Sequence, residues 1–427
     1  MTRICMLTQA QPSTNPRLVK EADALVEAGY RVEVLCSEHA DWAGETDREL
    51  LASRRWPCTY VGGEHALARQ WQRVRHKAAR ALAPVLRSQA VLQAAAGRHV
   101  RELAKAAAAR PADLYIARHP GALAAAGLAA RKHNARLGYD AEDFESGHAA
   151  LGADGGDADS RQQDRTAAAL EQAWLPCCDY ITAGSPAIAE AYAERFGIAQ
   201  PAPILNVFPL RDRPARLRSV AAGALRLYWF SQTIGPDRGL QEIVRAIGLI
   251  PECDIELHLR GQWASGFREE LNDLYSSLHI PLNRLVHHAP APPDEMVRLA
   301  AEFDVGLALE QPVSLNRKLC LTNKLFTYML AGNAIIATAT PGQQPVLRTI
   351  GPAAISYQHG DIATVAAALK PWHDDREALA RARQCSWQWG TDRYNWDMEK
   401  KRFLNIVEQA LSPGAQAAMN VEAAARA

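Results

Sequence analysis

Short apolar runs alternate with amphipathic stretches along two long blocks of this chain, and the order strand, helix, strand constrains the fold more than any other feature. Arg3–Thr8 reads as a strand, 16–28 as a helix stopped by Gly29, and 31–36 as the next strand. At this spacing the three make a βαβ unit, which implies a parallel sheet. The alternation resumes with a strand over 113–117, a helix over 121–132 and a strand over 137–141. A helix near 166–174, a strand at Tyr180–Ala183 and a helix at Pro186–Phe196, capped by Ser185, complete the first block. Residues 205–223 carry Pro209, Pro214 and four arginines with little periodicity and read as a linker. A second alternating block runs from Leu225 to about Leu369. The expected architecture is α/β, two doubly wound Rossmann-like domains facing a cleft.

A chain of 427 residues is too long for one core. The expected division is 1–207, a linker 208–224, a second domain 225–391, a helix 392–411 and a tail 412–427. With 48 basic and 47 acidic residues the overall field is weak, so nucleic acid is not an expected partner. Eight scattered cysteines include no Cys-x-x-Cys pair and read as small core residues of a reduced, cytoplasmic protein. The N-terminal apolar run has only a strand's length, so neither a signal peptide nor a membrane span is expected there.

Charge is nonetheless unevenly placed. Between 66 and 110 ten basic residues face one acid, Glu102, a local net of +9. Trp71, Val74, Leu82, Val85, Leu86, Val91 and Leu92 are interleaved with them, which predicts one or two basic amphipathic helices broken near Pro84. Two readings stand: a cationic face for an anionic membrane surface, with peripheral placement at its inner face, or a solvated helical insertion. The Gly/Asp-rich stretch 152–159 reads as a mobile loop, and its Asp157 and Asp159 as solvated surface with no metal expected.

Near the C-terminal third, Leu321-Thr322-Asn323-Lys324 opens an apolar helix that stops at Gly332 and leads into a strand-like run, 334–338. A helix starting beside a strand end offers unpaired amides and the positive end of its dipole, where a nucleotide diphosphate is held. A second candidate phosphate loop, 231–240, follows the strand at 225–230 and carries Gly235, Arg238 and Gly239.

These segments resemble the donor-nucleotide elements of GT-B fold glycosyltransferases, in the large retaining family (group 1, or family 4, type) that builds bacterial surface polysaccharides. The resemblance spans 3–411 and implies a metal-independent hexosyltransferase with no cofactor beyond its nucleotide diphosphate sugar. That sugar would pass to a saccharide or lipid-linked acceptor. It places Arg238, Gly239, Asn323 and Lys324 at the diphosphate, with Gln232 where a second basic residue is usual. Thr327 stands where a Glu normally grips the ribose, and Leu319 where a partner acid is usual, leaving Glu310 as the acid near the donor helix. Gly261 and His288 are expected at the nucleotide pocket. On the acceptor side the resemblance implies three catalytic residues: His119 matches a cleft histidine near the transferred sugar, and Asp140 and Glu142, at a strand end, Tyr139 to Phe144, that resembles the family's acidic one, would accept a proton from or orient the acceptor hydroxyl. The last helix is expected to cross back to the first domain. Two other readings remain: a nucleotide-sugar or saccharide binding partner without chemistry, and a sugar-nucleotide epimerase of the same fold.

Overall fold

The structure, a computed structural model, describes residues 1–37, 43–62, 66–86, 88–151 and 156–412. The chain divides into two compact units, Met1–Ile204 together with the chain from Lys400, and Leu205–Glu399. The stretch 205–224 therefore belongs to the second unit. Glu399 accepts the Leu205 amide at 2.9 Å, and the Phe208 carbonyl accepts the Trp396 amide at 2.8 Å.

The first unit holds β1 (Arg3–Thr8), β2 (Arg31–Ser37), β3 (Cys58–Val61), β4 (Leu114–Arg118), β5 (Arg136–Ala141), β6 (Tyr180–Ala183) and β7 (Ala202–Pro203). Its helices are α1 (Pro16–Glu27), α2 (Ala43–Ala52), α3 (Ala66–Leu82), α4 (Gln89–Ala96), α5 (Val100–Ala108), α6 (Pro120–His133), α7 (Ala158–Trp174) and α8 (Pro186–Phe196). The strands form one all-parallel sheet in the order β3-β2-β1-β4-β5-β6-β7. β4 and β5 are buried at every position, as strands covered on both faces by helices must be.

The second unit holds β8 (Leu225–Ile234), β9 (Ile255–Trp263), β10 (Leu285–His288), β11 (Val305–Ala308), β12 (Ala334–Thr338) and β13 (Ala354–Tyr357). The helices are α9 (Leu240–Gly248), α10 (Phe267–Ser277), α11 (Met296–Ala300), α12 (Leu315–Leu319), α13 (Asn323–Ala331), α14 (Gln344–Ile350), α15 (Ile362–Asp374) and α16 (Arg376–Asp392), while α17 (Trp396–Leu411) begins in this unit and runs into the segment from Lys400 that belongs to the first. The sheet is again parallel, in the order β10-β9-β8-β11-β12-β13. Leu227, Trp229, Leu257, Leu259 and Ile336 pack its core on one face. The other face carries an aromatic group in which Tyr228 stacks on Phe303 at 4.3 Å and meets Tyr328 edge-on.

Three expectations change. The basic segment forms three helices, α3, α4 and α5, where one or two were expected, because Pro84 and Gly97 both interrupt it. The helix expected near 166 starts at Ala158, with the Asp157 carboxylate accepting the Ser160 amide as its N-cap. That takes Asp157 out of the loop reading, while 152–155, Arg87 and the tail from 413 lie outside the described residues. Gly261 sits inside β9 at a φ of +146°, and a Cβ there would lie 2.3 Å from the Ser231 carbonyl oxygen. The register slips between Phe230 and Thr233 at this point, so the glycine is required by a bulge in the sheet.

Candidate functional site

In a doubly wound sheet, ligands bind beyond the carboxyl ends of the strands where the order reverses. That point falls between β8 and β11 in the second unit and between β1 and β4 in the first.

At the β8/β11 point two helices begin without a side-chain cap, α9 at Gly239 and α13 at Thr322. Gly239 has a φ of +74°, and a Cβ on it would lie 2.6 Å from Gln311 Nε2 and 2.9 Å from Leu309 Cβ. Glycine thus lets the loop press against the chain leaving β11. α13 is held at a fixed height over the sheet by close packing. A Cβ on Gly306 of β11 would enter the Tyr328 ring at 2.1 Å, and one on Gly390 of α16 would meet the Met329 and Leu330 backbone at 2.7 to 2.8 Å. The Tyr328 hydroxyl lies 3.2 Å from the carbonyl oxygens of Tyr228 and Leu307.

Five charged groups meet here. Glu310 is 5% exposed and pairs with Arg317 and, at 3.4 Å, with Lys324. Burial alone would raise its pKa, but Lys324 and Arg317 outweigh burial and bring it to about 2. The segment between β11 and α13 therefore folds back far enough to set Glu310 beside the helix start. Lys324 Nζ also lies 5.6 Å from the Trp229 ring centroid. Arg238 is lowered from its ordinary value by burial and by the Arg317 guanidinium, with Glu310 opposing. Asp237 opposes it as well, so three cations meet two carboxylates, leaving an excess of positive charge beside two helix N-termini.

Other expected donor residues are placed elsewhere. Thr327 is fully buried, and its hydroxyl donates to the Asn323 carbonyl at 3.1 Å, one turn back, so it presents nothing at the surface of α13. His288 lies on the aromatic face of the sheet. With His258 Nε2 on the Glu256 carboxylate at 3.1 Å, His258 Nδ1 accepts from His288 Nε2 at 3.0 Å. Burial and the charges of His258 and Arg260 push His288 down to about 4, so it stays neutral. His287 makes a 2.8 Å hydrogen bond to the Gly261 carbonyl. Gln232 is exposed, and the basic residue found beside Glu310 and acting on Arg238 is Arg317, which was not singled out in the sequence. The adjacent pair Arg317-Lys318, just ahead of the donor helix, was the signal available.

At the β1/β4 point of the first unit a cavity of about 600 Å³ is walled by residues following β1, β2, β4 and β5 and by α3, α4, α5 and α7. His119 reaches it from the N-cap of α6, at a strained φ of +69°, with Nδ1 3.4 Å from Thr8 Oγ1. Gln9 braces the wall, donating to the Ala96 carbonyl at 3.0 Å and accepting the Gly121 amide at 2.9 Å. Glu145 and His148 line the same cavity, 3.6 Å apart, and were not singled out in the sequence. Burial would raise the Glu145 carboxyl, but His148 and His119 hold it below its usual range. Its spacing of three from His148, just past the acidic strand end, was the available clue.

Asp140 is held among buried charges. It is 3% exposed, pairs with Arg17 at 2.7 Å and with Arg118, and accepts from Thr182 at 2.8 Å. Although burial alone would raise it, Arg118 and Arg17 hold it below the carboxylate range. Together with the buried Glu21, it belongs to a closed ion network rather than to a reacting surface. Glu142, whose side chain is 34% exposed and accepts from Arg118 at 2.9 Å, stays reachable.

One His, Cys and Asp grouping among the described residues has metal-like spacing, Cys253, His373 and Asp374. His373 Nε2 accepts the Asp254 amide at 3.0 Å and Nδ1 lies 2.8 Å from Asp374, so no ring lone pair is offered.

No family model matches the chain and no curated protein matches it. Solved structures do. HepE from Anabaena in complex with UDP aligns at a TM-score of 0.67 and 15% identity, covering 96% of this chain and 100% of that one. The chain has the GT-B fold. A glycosyltransferase from Rickettsia africae aligns at 0.67 and 12% identity, covering 96% and 99%. Sucrose-phosphate synthase from Thermosynechococcus elongatus aligns at 0.67 and 15%, covering 96% and 99%. At such identities the likeness establishes a GT-B architecture, and the chemistry rests on the residues.

Proposed function

We propose that this protein is a retaining glycosyltransferase that moves a sugar from a nucleoside diphosphate sugar to a saccharide or lipid-linked acceptor in surface polysaccharide synthesis. The observation that carries the reading is the cluster of Arg238, Arg317 and Lys324 around Glu310 at the switch point of the second unit, beside two uncapped helix N-termini. When a glycosidic bond to a diphosphate breaks, negative charge grows on the leaving oxygens, and fixed cations and helix amides stabilise it. Solved structures of this fold include HepE in complexes with UDP, with UDP and glucose, and with UDP-glucose. On the acceptor side His119 and Glu142 are the groups offered to a sugar hydroxyl.

The basic segment supports a lipid-linked acceptor. α3 has two faces. Gln72 and Ala79 are buried inward, and His76 and Arg80 line the cavity. Outward, Trp71 is 74% exposed and Val74 56%, followed by Leu82, Val85 and Leu86. These five are among only thirteen large apolar side chains exposed in the described residues. With Arg69, Arg73 and Lys77 exposed beside them, they suit an anionic membrane surface.

A second reading, a binding partner without turnover, is favoured by the buried Thr327, which removes the usual ribose carboxylate. The discriminating experiment incubates the protein with nucleotide sugars, with and without lipid extract, and follows nucleotide release. Acceptor-dependent release supports transfer, and binding without release supports the second reading.

A further inference from the structure

We infer that Glu310 is a built-in counter-ion which an incoming diphosphate displaces, and that Arg317 is a third diphosphate ligand released to it by that exchange. The inference rests on the reading that a diphosphate occupies the switch point of the second unit.

Four observations converge. Glu310 is a nearly buried carboxylate paired with the cations Arg317 and Lys324 and hydrogen-bonded by Thr322. Arg317 rises from the five-residue helix α12, whose N-cap Ser314 accepts the Arg317 amide at 3.2 Å, and its side chain is 35% exposed. Its guanidinium is close enough to Arg238 to disfavour the charge there. Such mutual repulsion is eased where anions screen it, and the two carboxylates that act on Arg238 among the described residues, Glu310 and Asp237, do not balance three cations. Lastly, Gln311 is 5% exposed, and its Nε2 has no hydrogen-bond partner among the described residues while lying against the Gly239 N-cap. A buried amide donor left unmade is costly, and a phosphate oxygen at that helix start would satisfy it.

The arrangement gives Glu310 a role opposite to that of an acid gripping a ribose or sugar. It competes with the ligand. It also favours ligands carrying two or more charges, because a single phosphate cannot replace the carboxylate and still neutralise the remaining cations.

The test is calorimetric titration of the full-length protein with inorganic pyrophosphate, orthophosphate and UDP, at fixed low ionic strength. Arg317→Ala is expected to weaken pyrophosphate about tenfold or more, with Arg317→Lys retaining part of the affinity. Glu310→Gln is expected to tighten pyrophosphate and UDP several-fold and to narrow the preference for pyrophosphate over orthophosphate. Unchanged or weaker binding in Glu310→Gln overturns the inference, as does unchanged binding in Arg317→Ala, whose side chain is partly exposed and which answers even if the buried substitution fails to fold. If Arg238→Ala and Lys324→Ala lose pyrophosphate while Arg317→Ala does not, the displacement idea falls and the diphosphate site stands. If none of the variants changes binding, the diphosphate site itself falls.

Discussion

Asp140 shows how a residue in a suggestive motif can be structural. An isolated carboxylate at a strand end invites a catalytic role, but Arg17 and Arg118 enclose this one. Asp140→Asn leaves two buried guanidinium groups undercompensated and is expected to cost about 3 to 5 kcal/mol of stability by urea denaturation. A catalytic Asp140 would instead give a folded, inactive protein. Glu171 behaves in the opposite sense. It is fully buried, accepts from the Tyr192 hydroxyl and, at 3.3 Å, from Tyr139, and burial lifts its pKa to about 8. A raised carboxyl favours the protonated fold, so its contribution is complete below the unfolded value near 4.5 and is lost as pH rises toward 8. Stability should fall by about 3 to 5 kcal/mol across that window, and Glu171→Gln should flatten the fall. At the donor site, Arg238→Ala and Lys324→Ala should each weaken nucleotide binding by about 1 to 3 kcal/mol.

Among the elements, α13 was legible because its polar start, apolar body and Gly332 stop are all local signals, and Gly332 adopts the expected left-handed φ of +75°. What it packs against was not legible. Gly306 reads as an ordinary strand residue until Tyr328 is seen lying on it. The same limit hid Arg317, whose pairing with Glu310 depends on how 311–322 folds, and hid the commitments of Thr327 and His288, which are set by buried neighbours. α2 and β3 passed unread because 37–61 carries weak periodicity, and the partners that order β3 come from β2. For α3 the periodicity was visible, but not which of two apolar stripes faces inward. Its structure refines the membrane test, since Arg75 is tied bidentately to Glu102 at 2.8 and 2.9 Å and is a poor probe. Trp71→Ser with Arg73→Glu and Lys77→Glu should reduce cosedimentation with anionic vesicles while leaving neutral vesicles unaffected. No reduction would mark the outer face of α3 as plain surface.

For the molecule as a whole, the alternation of strands and helices was enough to give two parallel sheets, and each proved doubly wound with one order reversal. Those reversals then located both candidate sites without reference to any motif. Among the described residues no helix is long and apolar enough to cross a membrane. The most direct test of the account is a crystal structure grown with a saturating nucleoside diphosphate. The account predicts phosphate density against Arg238, Lys324 and the first turn of α13. Density elsewhere, or none at the β8/β11 switch point, would contradict it.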